Sequence, residues 1–454
     1  MKKNRRTGLA SAAVIAAGVI LASSILFSQQ ESAVYVRVGK IYTSDNGRVV
    51  AGGGILIKDG KFVKVDEKAK PPKNAQVIDL SDQTVIPGLI DAFSHMGFRQ
   101  EDFNVRTEPP PPWRAPLEGV YRLYFGAAEQ KSPPPRVEAR FKASDAVFYN
   151  DASFRRFLAE GIIMAAIAIP TDGLSGGMTF VAKLDPSSSS DFVLVDPGGA
   201  VFSLAGDENV MRRYGDLKKT FLDARDYRKT WEKYQMDLKK YQEQQKRKKG
   251  EGTPGEKAKK EEPEEKEVSE PKEPKENENH EAVLQVLDRK MPAFIRASRI
   301  NEIEAALKLQ EEFKIRLVLV GGQEGYKIHR DLASRKVGVI AGPEAVLDRK
   351  GKKVNYIRDL LAGGIPVAFG SASSAGGVFL SYQLAYAVQH DLSRIQALDT
   401  VTTHAASILG LEASRGRIAA GRDADFVVLD GEPFDLGTRV RRVYRGGKML
   451  YSED

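Results

Sequence analysis

The chain has 454 residues, enough for one large or two medium domains with a substantial core. It contains no cysteine, which excludes disulfides, thiolate metal sites and a cysteine nucleophile. With 42% hydrophobic and 29% charged residues the balance is that of a globular protein. The net charge of +8 is dispersed among acidic residues, and no basic stripe with interleaved aromatics marks a nucleic-acid partner.

The N-terminus reads "MKKNRR" and continues in an uncharged run from Gly8 to Phe27. A charged start before an apolar stretch is the pattern of an export signal, and about 20 apolar residues also suffice to span a bilayer. Residues 1–32 are therefore expected to be a signal peptide or a membrane anchor. The early positive charges favour keeping that end in the cytoplasm. The body is then extracytoplasmic, in the periplasm or on the outer face of a membrane, anchored or released.

Residues 33–84 alternate apolar and polar positions around Gly and Asp-Gly turns ("AVYVRVGKIYT", "GGGILIKDGKFVKVD", "AQVIDL"), the pattern of an antiparallel sheet. Residues 411–454 repeat it in "GRIAAGRDADFVVLD" and "VRRVYRGGKMLY", so the two ends are expected to build one small discontinuous sheet domain. Between them, residues 85–410 alternate wholly apolar runs such as "GIIMAAIAIP", "PAFIRAS", "RLVLVGG" and "PVAFGS" with helical stretches such as "NEIEAALKLQEEF". Such runs imply a parallel sheet covered on both faces, and their number fits a (β/α)8 barrel. Its working face is expected at the C-terminal ends of the strands.

Two insertions break the rhythm. Residues 215–249 carry Ala224, Tyr227, Trp231, Tyr234, Leu238 and Tyr241 at spacings of three and four, one apolar seam on a charged helix. That seam is a short coiled-coil-like face for the barrel or for a partner chain. Residues 250–280 are rich in Pro, Glu and Lys, with too few apolar residues to offset ordering entropy, and are expected to be disordered, His280 included. The sequence "GLSGG" matches Gly-x-Ser-x-Gly at Ser175. A nucleophile there needs a helix after the turn, and the strand-like "MTFVAKL" follows instead, so a structural glycine loop is expected.

"ILIKDGKFVKVD" followed by "VIDLSDQTVIPGLIDAFSH", together with "LDTVTTHAASILGLEASRGRIAAGRDADFVVLDGEP", resembles the amidohydrolase superfamily, in its imidazolonepropionase-like branch. The resemblance implies a TIM-like barrel with a small β-sandwich. It also implies metal-activated water attacking carbon–nitrogen bonds other than peptide bonds, a chemistry that needs several N/O ligands at strand ends. The family's His-x-His reads Phe93-Ser94-His95 here. Arg296 stands where the fifth-strand histidine is implied, Gly321 where the sixth-strand histidine is, and Ala372 where the family's Gly-Ser-Asp places the base. No register fixes a mid-barrel ligand, for which Asp191 and Asp196 are in reach.

Two functions follow. In the first, the metal positions Phe93, Arg296, Gly321 and Ala372 are degenerate and His95 is a residual ligand. The protein is then catalytically reduced, holds no cofactor, and binds a small molecule at the barrel mouth. In the second it is an active carbon–nitrogen hydrolase with an atypical site, in which Asp91, Ser371, Arg296 and His95 cooperate with a weakly held zinc or with none.

Overall fold

The computed structural model describes residues 33–98, 138–171, 173–184, 191–206, 209–248, 269–372 and 377–453. The proposed export segment at 1–32 and residues 250–268 of the charged insertion lie outside them. Among the described residues no helix is long and apolar enough to cross a membrane.

The alternating N-terminal segments form β1 (Val34–Tyr42), β2 (Val49–Lys58), β3 (Lys61–Asp66) and β4 (Gln76–Pro87). The apolar runs that follow form β5 (Leu89–Ser94), β6 (Ile162–Ile167), β7 (Ser175–Lys183), β8 (Val193–Ser203), β9 (Ala293–Ala297), β10 (Leu317–Gly321) and β11 (Gly338–Ala341). A small hairpin, β12 (Leu347–Arg349) and β13 (Lys352–Val354), precedes β14 (Val367–Phe369). The C-terminal segment forms β15 (Phe426–Leu429), β16 (Val440–Arg445) and β17 (Lys448–Ser452).

The two ends of the chain share one seven-stranded sheet in the order β17-β16-β15-β4-β1-β2-β3, with β15 antiparallel to β4. Successive residues of a strand face opposite ways, and β15 uses both faces. Phe426 and Val428 join Val36, Ile55 and Phe62 in a core belonging to this sheet, where Phe426 stacks on Tyr444 with centroids 4.4 Å apart. Val427 and Leu429 instead enter the main core with Leu89 and Ile163. One strand thus fastens the small domain to the large one.

The main core lies within and around an eight-stranded sheet in the order β14-β11-β10-β9-β8-β7-β6-β5. Its outer strands meet where the Ala372 N–H donates to the Phe93 carbonyl at 2.9 Å, which draws the sheet into a barrel. The uniform parallel repeat read from the sequence is corrected at one strand. β7 runs antiparallel to both β6 and β8. The connections 168–174 and 184–192 are the reason, since parallel strands need a crossover of about a dozen residues or more. Ser175 opens β7 rather than a strand-to-helix elbow. It is buried, and its hydroxyl donates to the Val201 carbonyl at 3.1 Å.

The helical insertion begins earlier than the seam implies, at Val210, because the Asn209 side chain accepts the Met211 N–H at 2.8 Å, and it runs to Lys248. Its buried face is Leu217, Phe221 and Ala224. The Phe221 ring lies 5.4 Å from that of Phe202 and 5.0 Å from that of Phe313, so this face packs on the barrel. The end of the charged insertion also needs correction. Asn277 caps a helix over Glu278–Leu287, which places His280 in its first turn, 5.2 Å from the Tyr227 ring. The buried Ala282, Val283, Leu284 and Val286 begin only after a polar first turn, and that polarity hid the helix in the sequence.

Candidate functional site

The C-terminal ends of β5, β9, β10 and β14 bring together most of the residues singled out in the sequence. Asp91 lies on β5 and is fully buried. Its carboxylate accepts three hydrogen bonds: from the Ser371 hydroxyl at 2.5 Å, the Ser371 N–H at 2.9 Å and the Phe93 N–H at 3.2 Å. Burial pushes its pKa up to about 6, against the pull of these donors. Ser371 is equally buried, and its hydroxyl lies 3.3 Å from that of Ser94. The pair has no access to solvent, so it ties β14 to β5 beneath the mouth. A Cβ on Gly370 would come within 2.8 Å of both the N and the O of Phe93, so glycine is what lets the two strands approach this closely.

His95 follows the last residue of β5 and is partly buried. Its Nδ1 is 2.7 Å from the Ala168 carbonyl. A carbonyl only accepts, so Nδ1 carries the proton and Nε2 keeps its lone pair. Burial, with the nearby Arg296 charge adding to it, pulls the pKa of this histidine down to about 4. The ring is therefore neutral at pH 7. Arg296, on β9, donates from Nη1 to the Thr171 carbonyl at 2.5 Å. Removing its charge by Arg296→Gln should raise the His95 pKa, and an NMR titration of the imidazole resonances would read this directly. An unchanged value would show that burial alone sets the shift.

The other implied ligand positions hold no donor. Phe93 is in the core, 2% exposed, with its ring edge-on to His95 at 5.4 Å. Gly321 has φ +100°, a backbone conformation that side chains rarely adopt, and a Cβ there would lie 2.3 Å from Ser298 Oγ, so a histidine at the end of β10 would be strained. Ala372 has φ +46°, and its N–H is used in closing the barrel. Asp191 pairs with Lys183 at 2.5 Å, and Asp196 accepts from the Ser144 hydroxyl at 2.8 Å. Both stand in or before the first half of β8, far from the end of that strand at Ser203.

The chain has five histidines, all among the described residues. Besides His95 and His280, the Nδ1 atoms of His329 and His390 lie within 3.0 Å of the Tyr326 and Tyr386 carbonyls, and that of His404 lies 3.1 Å from the Val367 carbonyl on β14. Among the described residues, no three His, Cys, Asp or Glu side chains gather as a metal site. Two further residues at the site, Thr171 and Ser94, carry no functional signal in the sequence. Thr171 acts here through its backbone carbonyl, which carries no residue signature, and Ser94 stands as the spacer between Phe93 and His95.

A family model described as the amidohydrolase family matches residues 297–451. An amidohydrolase from Thermotoga maritima MSB8 superposes with a TM-score of 0.65 at 25% identity, over 92% of this chain and 100% of that one. The chain belongs to the amidohydrolase superfamily. Within it, the imidazolonepropionase-like branch is indicated by the imidazolonepropionase of Verminephrobacter eiseniae (strain EF01-2), 40% identical over 91 residues. The amidohydrolase tasK of Hapsidospora irregularis is 21% identical over 434 residues, or 88% of this chain. The matched regions span 20% of that imidazolonepropionase and 40% of tasK. Among amidohydrolases, the strand-end geometry of this barrel is where substrate chemistry is to be sought.

Proposed function

We propose that this chain is an exported amidohydrolase-fold protein without a hydrolytic metal centre, whose barrel mouth binds a small ligand. The observation that carries this reading is the donor set. His95 offers one neutral nitrogen, while Phe93, Gly321 and Ala372 offer no side-chain donor and Arg296 adds positive charge beside it. Asp91 is buried with both carboxylate oxygens already engaged. A catalytic zinc site takes about three protein ligands and an open position, so these residues do not fit a divalent ion. Export rests on the charged and apolar pattern of residues 1–32.

Elemental analysis of the purified protein tests the proposal. Zinc, manganese and iron should each be well below one equivalent. Added zinc or a chelator should leave the thermal midpoint unchanged, because a ligand that binds only the native state raises it. About one equivalent of tightly held metal would overturn the reading. The second reading, an active carbon–nitrogen hydrolase, draws on one feature, the Nε2 lone pair of neutral His95 beside the Arg296 guanidinium. A metal-free hydrolysis rate on an amide or lactam panel that His95→Gln abolishes would favour it.

A further inference from the structure

A cleft of about 400 Å³ opens between the C-terminal strands and the barrel. Leu89, the first residue of β5, lines it, whereas His95 follows the last residue of that strand. At a rise of about 3.3 Å per residue the two lie roughly 20 Å apart, so the cleft is distinct from the barrel mouth. Its volume is that of a small-molecule site, for which about 300–1,000 Å³ is usual. Tyr382, Phe434, Leu436 and Tyr451 make much of its wall aromatic or apolar. Tyr382 and Leu436 remain 55% and 68% exposed, an unusual cost for large apolar side chains meeting water together.

The charges on this wall are unequal. Asp435 is paired with Arg394, and Glu453 with Arg439 and Arg441. Glu160 has no cation and no side-chain donor among the described residues. It is half-buried at the end of the helix Ala152–Ala159, where the partial negative charge of the last carbonyls adds to its own. Burial raises the pKa of its carboxyl, as expected for a charge that lacks a counter-ion. The unmet charge of an aromatic-walled cleft is thus negative.

We propose that this cleft binds an organic monocation with an aromatic or apolar body, its ammonium group at Glu160 and its body against Tyr382, Phe434 and Leu436. A cation beside aromatic faces gains from their quadrupoles as well as from the carboxylate. The inference is independent of what the barrel mouth does.

Calorimetric titration of the purified full chain tests it, with phenethylammonium as probe and 2-phenylethanol as its uncharged counterpart. Phenethylammonium should bind one to one and at least about tenfold tighter than the alcohol. Glu160→Gln should bring the two probes to within about twofold, with the thermal midpoint unchanged, and Tyr382→Ser should weaken both. Equal binding of the two probes by the wild type, or a preference that survives Glu160→Gln, would overturn the proposal. So would a stable dimer, split by Leu436→Asp, that assigns the cleft to a second copy of the chain.

Discussion

Replacing Asp91 by alanine should lower the stability of the barrel by about 3 kcal/mol, whereas asparagine should cost little. Alanine leaves the buried N–H groups of Phe93 and Ser371 without an acceptor and opens a void where the strands close. An asparagine oxygen can still accept from both, and its amide can donate to Ser371 Oγ, while the buried charge is gone. The wild type should also carry a pH signature. Burial raises the native pKa of Asp91 to about 6, above its value in an unfolded chain. Between about pH 4 and pH 6 the unfolded chain has released this proton and the native state has not. The Asp91 contribution to stability therefore falls as pH rises through that window, by an amount on the order of 3 kcal/mol, and levels off above it. His95, whose native pKa of about 4 lies below its unfolded value, contributes an opposite slope over the same window. Urea unfolding at pH 4, 5, 6 and 7 should therefore show the Asp91 effect as the difference between the wild type and Asp91→Asn, whose relative stability rises with pH. Parallel curves would show that Asp91 does not titrate there.

The sequence disclosed more of the fold than of the site, for a physical reason that particular strands make plain. The N-terminal sheet was legible because β1 and β3 alternate apolar and polar residues, as a half-buried strand must, whereas β15 is apolar throughout because both of its faces are buried. The runs at β6, β9, β10, β11 and β14 were legible because a strand covered on both faces is apolar throughout. Direction was not. β7 is as apolar as its neighbours, and only the shortness of the flanking connections marks its reversal. At the site, the residues expected at ligand positions could be named from the resemblance, but not what holds them. The Asp91–Ser371 bond joins residues 280 apart in sequence and needs the barrel to close before it exists. The fixed tautomer of His95 depends on the Ala168 carbonyl, which no side chain announces.

Position 93 separates a lost ligand from a gained core residue. Phe93→Ala should destabilise the protein by about 3–5 kcal/mol, the usual cost of emptying a buried aromatic site. The ring is 2% exposed, sits at the seam between β5 and β14, and packs edge-on against His95, so little around it can collapse into the space. Phe93→His restores the family's His-x-His and yet should also be less stable than the wild type. It buries a polar ring in a place built for an apolar one, and a polar group buried without a partner costs free energy. It should take up no zinc, because two imidazoles remain short of the three ligands that a catalytic site needs. Gly321 cannot supply the third, since its backbone is left-handed and Ser298 stands where a Cβ would go. Thermal unfolding of Phe93→His with and without zinc decides the matter. A lowered midpoint that zinc does not restore makes Phe93 a structural residue of the closed barrel. A midpoint that zinc raises above that of the wild type would mean that a latent metal site lies one substitution away.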